Sequence, residues 1–378
     1  MKLTLKFGLA LLAIIVLGFF FPATAGAHPA SGIVLDLAGN IYFSDLETIW
    51  KIDANGKLSV FRPGVSGRHV HELAIDEHDN IYGADISYQS QRWISDIWKM
   101  TPEGKLEYLL EPTDKPPRAL SIWRDREGNS YFIDQNNHTK AQTLLLRRAP
   151  DGKVITLAGG GYGQADGKGA SARFSSVGGV AFGADGSLYL ADGASVRRVA
   201  MDGTVVTLAK DLDVRTREDK PALFGGSYGS LAGLAVDAAG NVYVADAGNR
   251  RLFKIDREGK TDVLLRTDPP YFPNGVVAGP GGDIYVLEVG FTLPSSWSGP
   301  RVRKITQGGK STILATVGAE DDGVSLKAAV ARSAGAAAES FLSFFVVEGR
   351  IKYAIMLLGA GVLSTGAFVW QRRKRNRV

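Results

Sequence analysis

Three histidines could supply a metal site. His69 and His71 alternate along one segment, and His138 follows in a later one. Zinc in proteins prefers neutral imidazole ligands, so these side chains predict a zinc site if the fold brings them together. The alternative is that they are ordinary loop histidines, because their spacing matches no established zinc pattern.

The sequence lacks the motifs of several other catalytic classes. It has no Ser, His and Asp order typical of a triad hydrolase and no glycine-rich phosphate loop. Cysteine is absent, which argues against a thiol enzyme and against a domain held by disulfides.

A repeated unit must position the candidate residues. In Gly179–Leu208, four short runs rich in Val and Leu are separated by Asp-Gly and glycine-rich turns, which predicts an antiparallel meander of four strands. Six such units each carry a Tyr in the second strand, and successive Tyr are 40 to 58 residues apart: Tyr42, Tyr82, Tyr131, Tyr189, Tyr243 and Tyr285. This period is typical of propeller blades. We therefore predict an all-β fold, a six-bladed β-propeller of four-stranded blades over residues 28–317.

The fifth unit, residues 233–256, reads GLAVDAAGNVYVADAGNRRLFKID. It resembles the NHL repeat, whose pattern runs P-x-GVAVD-x-x-G-N-x-YVAD-x-x-N-x-R-I. The connector at residues 155–182 is similar to that of bacterial exported members. The resemblance covers residues 31–316 and implies the propeller fold, but one fold hosts many functions.

The N-terminal residues 1–27 have the order of a secretory signal peptide. Lys2 and Lys6 precede an apolar run, Phe7–Phe21, and the small residues Ala25-Gly26-Ala27 follow it. We expect export of the chain. The alternative is an uncleaved N-terminal anchor, which also implies export.

The C-terminal region predicts a membrane anchor. Tyr353–Trp370 is an 18-residue run without a charge, which is long enough to span a bilayer core. We assign residues 351–371 to a transmembrane helix in contact with membrane lipid. The basic tail, residues 372–378, places the C-terminus in the cytoplasm and the propeller outside it. The Ala-rich residues 318–350 are interpreted as a stalk, and the alternatives for the apolar run are a buried helix or a cleaved sorting signal.

The net charge of +5 arises at the two ends of the chain. Lys2, Lys6 and the basic tail carry more positive charge than this excess, so the residues between them are slightly acidic. We therefore expect no nucleic-acid partner.

Loop lengths predict which face of the propeller binds. Turns between first and second strands and between third and fourth strands are short. The loops between second and third strands carry insertions at Ile86–Asp96, Gln135–Thr143 and Val289–Pro300. The connectors to the next blade at residues 158–177 and 209–231, on the same face, are also long. Long loops on a rigid scaffold usually carry binding residues. Trp93 and Trp297 are expected to expose aromatic surface there to a ligand or a protein partner.

The first strands predict a second group of candidates, at the central channel. Four of the six units begin this strand region with Gly, which allows close backbone approach at a crowded axis. Glu72 and Ser121 replace that Gly, with Arg118 and Asn274 close by. A carboxylate at the axis needs a cation or a hydrogen-bond donor, and Arg118 is the simplest partner. The six acids that end the second strands are interpreted as acceptors for backbone N–H groups, a structural role: Asp45, Asp85, Asp134, Asp192, Asp246 and Glu288.

Residues 272–277 read FPNGVV, and the next strand ends at Glu288. This segment resembles a blade of the gluconolactonase and strictosidine-synthase-like propellers. The resemblance implies that Asn274 and Glu72 bind a divalent cation, although Leu73 stands where that family has Gly-Pro.

Two functions follow. The first is a membrane-anchored extracytoplasmic binding module that uses its long-loop face. The alternative is a hydrolase of lactonase type, in which calcium or zinc at the channel mouth polarises a carbonyl group and activates water.

Overall fold

The computed structural model describes residues 32–116, 121–135, 142–219, 231–292 and 296–318, and only the backbone of residues 291, 292 and 296–298. All of these lie in one compact unit, His28–Ser325. The segments assigned to a signal peptide, a transmembrane helix and a basic tail lie outside the described residues, as does the stalk except Gly318. Within the described part, no helix is long and apolar enough to cross a membrane.

The described strands form six antiparallel sheets, which are the six blades of a propeller. Blade 1 contains β1 (Ile33–Leu35), β2 (Ile41–Ser44), β3 (Ile49–Ile52) and β4 (Leu58–Arg62). Blade 2 contains β5 (Arg68–Ile75), β6 (Ile81–Gln89), β7 (Arg92–Met100) and β8 (Leu106–Thr113). Blade 3 contains β9 (Ser130–Gln135), β10 (Thr143–Arg148) and β11 (Val154–Ala158). Blade 4 contains β12 (Gly167–Lys168), β13 (Val177–Phe182), β14 (Leu188–Asp192), β15 (Ser195–Val199) and β16 (Thr204–Ala209). Blade 5 contains β17 (Leu231–Val236), β18 (Val242–Asp246), β19 (Arg251–Ile255) and β20 (Thr261–Arg266). Blade 6 contains β21 (Tyr271–Ala278), β22 (Ile284–Thr292), β23 (Ser296–Ile305) and β24 (Ser311–Thr316).

The six-bladed all-β prediction is confirmed. Four blades consist of four strands in chain order. In blade 3 an isolated bridge between Arg124 and Ser130 takes the place of the first strand among the described residues. Blade 4 gains a fifth strand, because β12 pairs with its outer strand β16.

The repeated Tyr has a structural role. In blade 5, Asp237 accepts hydrogen bonds from the backbone N–H and side-chain amide of Asn241, at 2.8 and 2.7 Å, and from the Tyr243 hydroxyl at 3.1 Å. Gly240, with φ of 83°, makes the tight turn between them. Burial and the Asp237 carboxylate raise the pKa of Tyr243 to about 12. The same clamp recurs in blades 1, 2 and 3, which explains why the repeat pairs Asp with Asn and Tyr.

The ring closes without a shared strand. Phe43 and Trp50 of blade 1 pack in one buried cluster with Leu287, Val302 and Val317 of blade 6. Blades 4 and 5, and blades 5 and 6, share clusters of the same kind. Side-chain packing between sheets therefore joins the last blade to the first.

The connector between blades 3 and 4 is folded along blade 4 instead of forming an open loop. Phe174 is fully buried between the two blades. The buried Arg197 donates to the Ala165 carbonyl at 2.8 Å and to Asp166 at 2.9 Å. This connector, expected among the insertions of the binding face, is therefore part of the scaffold.

Candidate functional site

The loops predicted in blades 2 and 6 are extended β-hairpins. β6 and β7 pair in continuous register from Ile81 and Met100 to Gln89 and Arg92. The two residues of the turn have φ values of 47° at Ser90 and 65° at Gln91, as in a type I′ turn. In blade 6, β22 and β23 pair as far as Thr292 and Ser296. We call the end of the propeller that carries these two hairpins the hairpin face.

The blade 2 hairpin exposes an aromatic pair. Tyr88 and Trp93 lie directly opposite each other, and their ring centroids are 5.1 Å apart. Trp93 is 61% exposed and Tyr88 39%. In blade 6, Trp297 lies opposite Phe291 in the register, and their side chains are outside the described part. The backbone thus places both predicted tryptophans on hairpins that flank blade 1.

Glu72 lies in a bulge of β5 next to the propeller axis. The register of β5 against β6 shifts between Val70 and Leu73, and the first strand of blade 1 lies alongside, where Gly32 N–H donates to the His71 carbonyl at 3.0 Å. A Cβ on Gly32 would lie 2.8 Å from the Leu73 nitrogen, which explains the requirement for Gly at this position.

The Glu72 carboxyl group has no hydrogen-bond or ion-pair partner among the described residues. Its side chain is half-buried beside the first strand of blade 1. This loss of hydration raises the pKa of Glu72 to about 7. Arg118, the partner expected from the sequence, lies outside the described residues. A carboxyl group with such a pKa can exchange a proton near neutral pH.

The remaining channel candidates occupy similar positions with different surroundings. Asn274 lies in the equivalent bulge of β21 and is 4% exposed. Ser121 is buried, and its hydroxyl accepts the Trp123 N–H at 3.0 Å, a local turn contact. The rings of His69 and His71 are 6.0 Å apart and nearly perpendicular. His138 lies outside the described residues.

The acids at the ends of the second strands include acceptors for backbone N–H groups, as expected. Several also pair with arginines, which the sequence did not predict. Asp192 accepts the backbone N–H groups of Ser175 and Ser176, at 2.7 and 3.0 Å. It also pairs with Arg197 at 3.0 Å, and both side chains are fully buried. The other acids with guanidinium partners are Asp85 with Arg62 and Arg68, Asp246 with Arg251, and Glu288 with Arg301 and Arg303.

Blade 2 adds a second buried acid that sequence reasoning missed. Asp96 lies directly opposite Asp85, and each side chain is 2% exposed. Burial and the Asp85 carboxylate raise the pKa of Asp96 above its usual range. Arg68 contacts both acids and offsets their repulsion. No sequence signal pointed to Asp96, because the residue falls at the end of the predicted loop insertion, Ile86–Asp96.

The described residues do not fit a resident calcium or zinc ion. Calcium takes about six to eight oxygen ligands, several of them carboxylates. Among the described second-strand acids, Asp85, Asp192, Asp246 and Glu288 are committed to arginines and so do not supply carboxylates to an ion beside Glu72. No group of three His, Cys, Asp or Glu side chains in the described ranges is arranged to hold a metal ion.

Similar folds occur among solved structures. A virginiamycin B lyase from Staphylococcus aureus is 15% identical, with a TM-score of 0.43 over 77% of this chain and 85% of that chain. A gluconolactonase from Xanthomonas campestris is 14% identical, with a TM-score of 0.44 over 68% and 81%. A calcium-binding protein, regucalcin, from Agrobacterium tumefaciens is 14% identical, with a TM-score of 0.41 over 69% and 83%. Likeness at this level does not extend to activity.

No protein-family model matches the chain, and no curated protein matches it. The NHL assignment therefore stays a prediction from the repeat residues.

Proposed function

We propose that this chain is an extracytoplasmic propeller that binds a partner protein or ligand through its hairpin face. Residues 351–371 would anchor it in the membrane, in contact with lipid. The observation that carries the binding role is the exposed Tyr88–Trp93 pair, on a hairpin whose strands stay paired out to Gln89 and Arg92.

Exposed aromatic pairs suit a binding surface for a physical reason. Trp and Tyr bury a large apolar area when a partner covers them, and they lose little rotamer freedom. The register of the hairpin already fixes the two rings against each other, so part of the ordering cost is met before binding. Arg92, at the base of the turn, pairs with Asp114 and adds a polar rim.

Site-specific photo-crosslinking in cells tests this role. A photo-reactive residue in place of Gln91, on the exposed turn, should give a discrete adduct with the partner. The matched control is the same residue in place of Leu37, which is 81% exposed on the opposite face. Adding Trp93→Ala should remove the adduct formed from position 91. Equal adducts from both positions would contradict the proposal.

A second candidate function rests on Glu72. A carboxyl group with a pKa of about 7 and no partner among the described residues can act as a general base in hydrolysis. Glu72→Gln should then abolish ring opening of lactones by the full-length chain, whereas Glu258→Gln, in an exposed turn, should leave it unchanged. A wild-type chain that opens no lactone across a broad panel would exclude this candidate.

A further inference from the structure

A cleft of about 120 Å³ opens at blade 5 and borders the start of blade 6, and it is lined neither by Glu72 nor by Tyr88 and Trp93. Its walls come from the turn that ends at Arg250, from Thr267 and Asp268 after β20, and from Asp219 in the preceding connector. Neither proposed function above uses these residues.

The charged groups around the cleft are paired, with one exception. Asp219 pairs with Arg251 at 2.8 Å and with Arg266 at 3.1 Å, and Glu218 pairs with Arg266 at 2.9 Å. Asp268 also has an interaction. The exception is Arg250, which is only 4% exposed and makes no ion pair with a described carboxylate.

The hydrogen bonds of Arg250 leave one edge of its guanidinium group unused. Nη1 donates to the Tyr271 carbonyl. Nε is buried without an acceptor, and no described residue accepts from Nη2. Burial lowers the pKa of Arg250, and no carboxylate opposes that effect. A buried charge without a counter-charge destabilises the fold unless an anion joins it.

We propose that Arg250 forms the anchor of a binding site for a small molecule with a single carboxylate group. The two parallel N–H groups of a free Nε–Nη2 edge match the two oxygens of a carboxylate, which they bind in a bidentate manner. A phosphate dianion fits less well, since it would face the carboxylates of Asp219, Glu218 and Asp268 with only one unpaired cation. The site is independent of the aromatic hairpin and of Glu72.

Thermal unfolding of the full-length chain in different salts tests the site. At constant ionic strength, sodium acetate or propionate should raise the Tm of the wild-type chain above its value in sodium chloride, because a ligand that binds only the folded state stabilises it. Arg250→Gln should remove this rise, and in chloride it should unfold at a higher temperature than the wild type. Arg257→Gln, in an exposed turn of the same blade, should behave as the wild type.

Calorimetric titration with propionate provides a second measurement. Arg250→Lys keeps the charge but lacks the two parallel N–H groups of the guanidinium. It should therefore bind propionate at least about tenfold more weakly than the wild type. A wild-type Tm that is the same in propionate and chloride would overturn the proposal. So would a Tm rise that survives in Arg250→Gln, or one that only phosphate produces.

Discussion

Glu72 is a carboxyl group that the fold encloses without a described counter-charge. Its pKa is raised above the unfolded value, so the folded chain holds its proton more tightly than the unfolded chain does. The stability associated with that proton is present below about pH 4.5 and is lost as the pH rises through about 7. We expect Glu72→Gln to exceed the wild type in free energy of unfolding by roughly 1 to 3 kcal/mol above pH 7.

Urea titrations from pH 4.5 to pH 8 would measure this difference. The two chains should converge at the acid end, and Glu258→Gln, in an exposed turn, should follow the wild type throughout. A variant less stable than the wild type at pH 8 would mean that the carboxylate has a favourable partner, as the sequence-based pairing with Arg118 requires.

Asp192 illustrates the opposite case, a buried carboxylate with a complete set of donors. Asp192→Asn removes the charge that balances the fully buried Arg197. We expect a loss of about 2 kcal/mol in the free energy of unfolding, measured by urea titration, because the buried Arg197 then keeps only the half-exposed Asp166 as a counter-charge. Asp262→Asn, whose ion pair with Lys260 is exposed, should change stability by less than about 1 kcal/mol. Equal effects of the two substitutions would contradict the structural role of Asp192.

At the scale of elements, the hairpin of blade 2 contains a strained turn. Ser90 and Gln91 both adopt the left-handed backbone region, which costs non-glycine residues about 1 kcal/mol each. Asn-Gly is the preferred pair for such a turn. Ser90→Asn with Gln91→Gly should slow amide hydrogen exchange in β6 and β7 near the turn by several-fold.

The matched control is Ser90→Ala with Gln91→Ala, which keeps non-glycine residues at both positions and should leave exchange at the same amides close to that of the wild type. Exchange in β18 and β19 should not change in either variant. If the Asn-Gly variant exchanged as fast as the wild type, the turn would not limit hairpin opening.

Sequence patterns predicted the strands and missed the contacts between distant segments. The second-strand Tyr and the tight turns repeat in all six units, so six blades could be predicted from Tyr42 to Tyr285. The strand β12 is only two residues, Gly167–Lys168, and has no apolar pattern that could reveal it. Arg197 is a charged residue, so the sequence did not indicate that it is buried. Its burial depends on hydrogen bonds to the connector about 30 residues earlier. Glu72 stood out because it replaced Gly, whereas Arg250 gave no signal, because its isolation depends on the pairing of its neighbours.

At the scale of the whole molecule, the sequence makes a prediction about topology that the described residues do not test. Basic residues are concentrated after Trp370, which by the positive-inside rule keeps that end in the cytoplasm. A reporter active only outside the cytoplasm should work when fused at Glu348 and fail when fused after Val378. The reverse pattern would exclude both the export and the anchor assignments.

The way in which the ring closes has a consequence for rearrangement of the chain. Because side chains alone join blade 1 to blade 6, each blade is built from one continuous stretch of sequence. Ile33 and Val317, near the two ends of the ring, lie in the same buried cluster. A short linker could therefore join these ends while a new opening is cut between blades 4 and 5, and a circular permutant of this kind would keep every strand pair intact. The fold therefore does not require the chain to begin with blade 1, and a chain that begins with blade 5 should form the same six sheets.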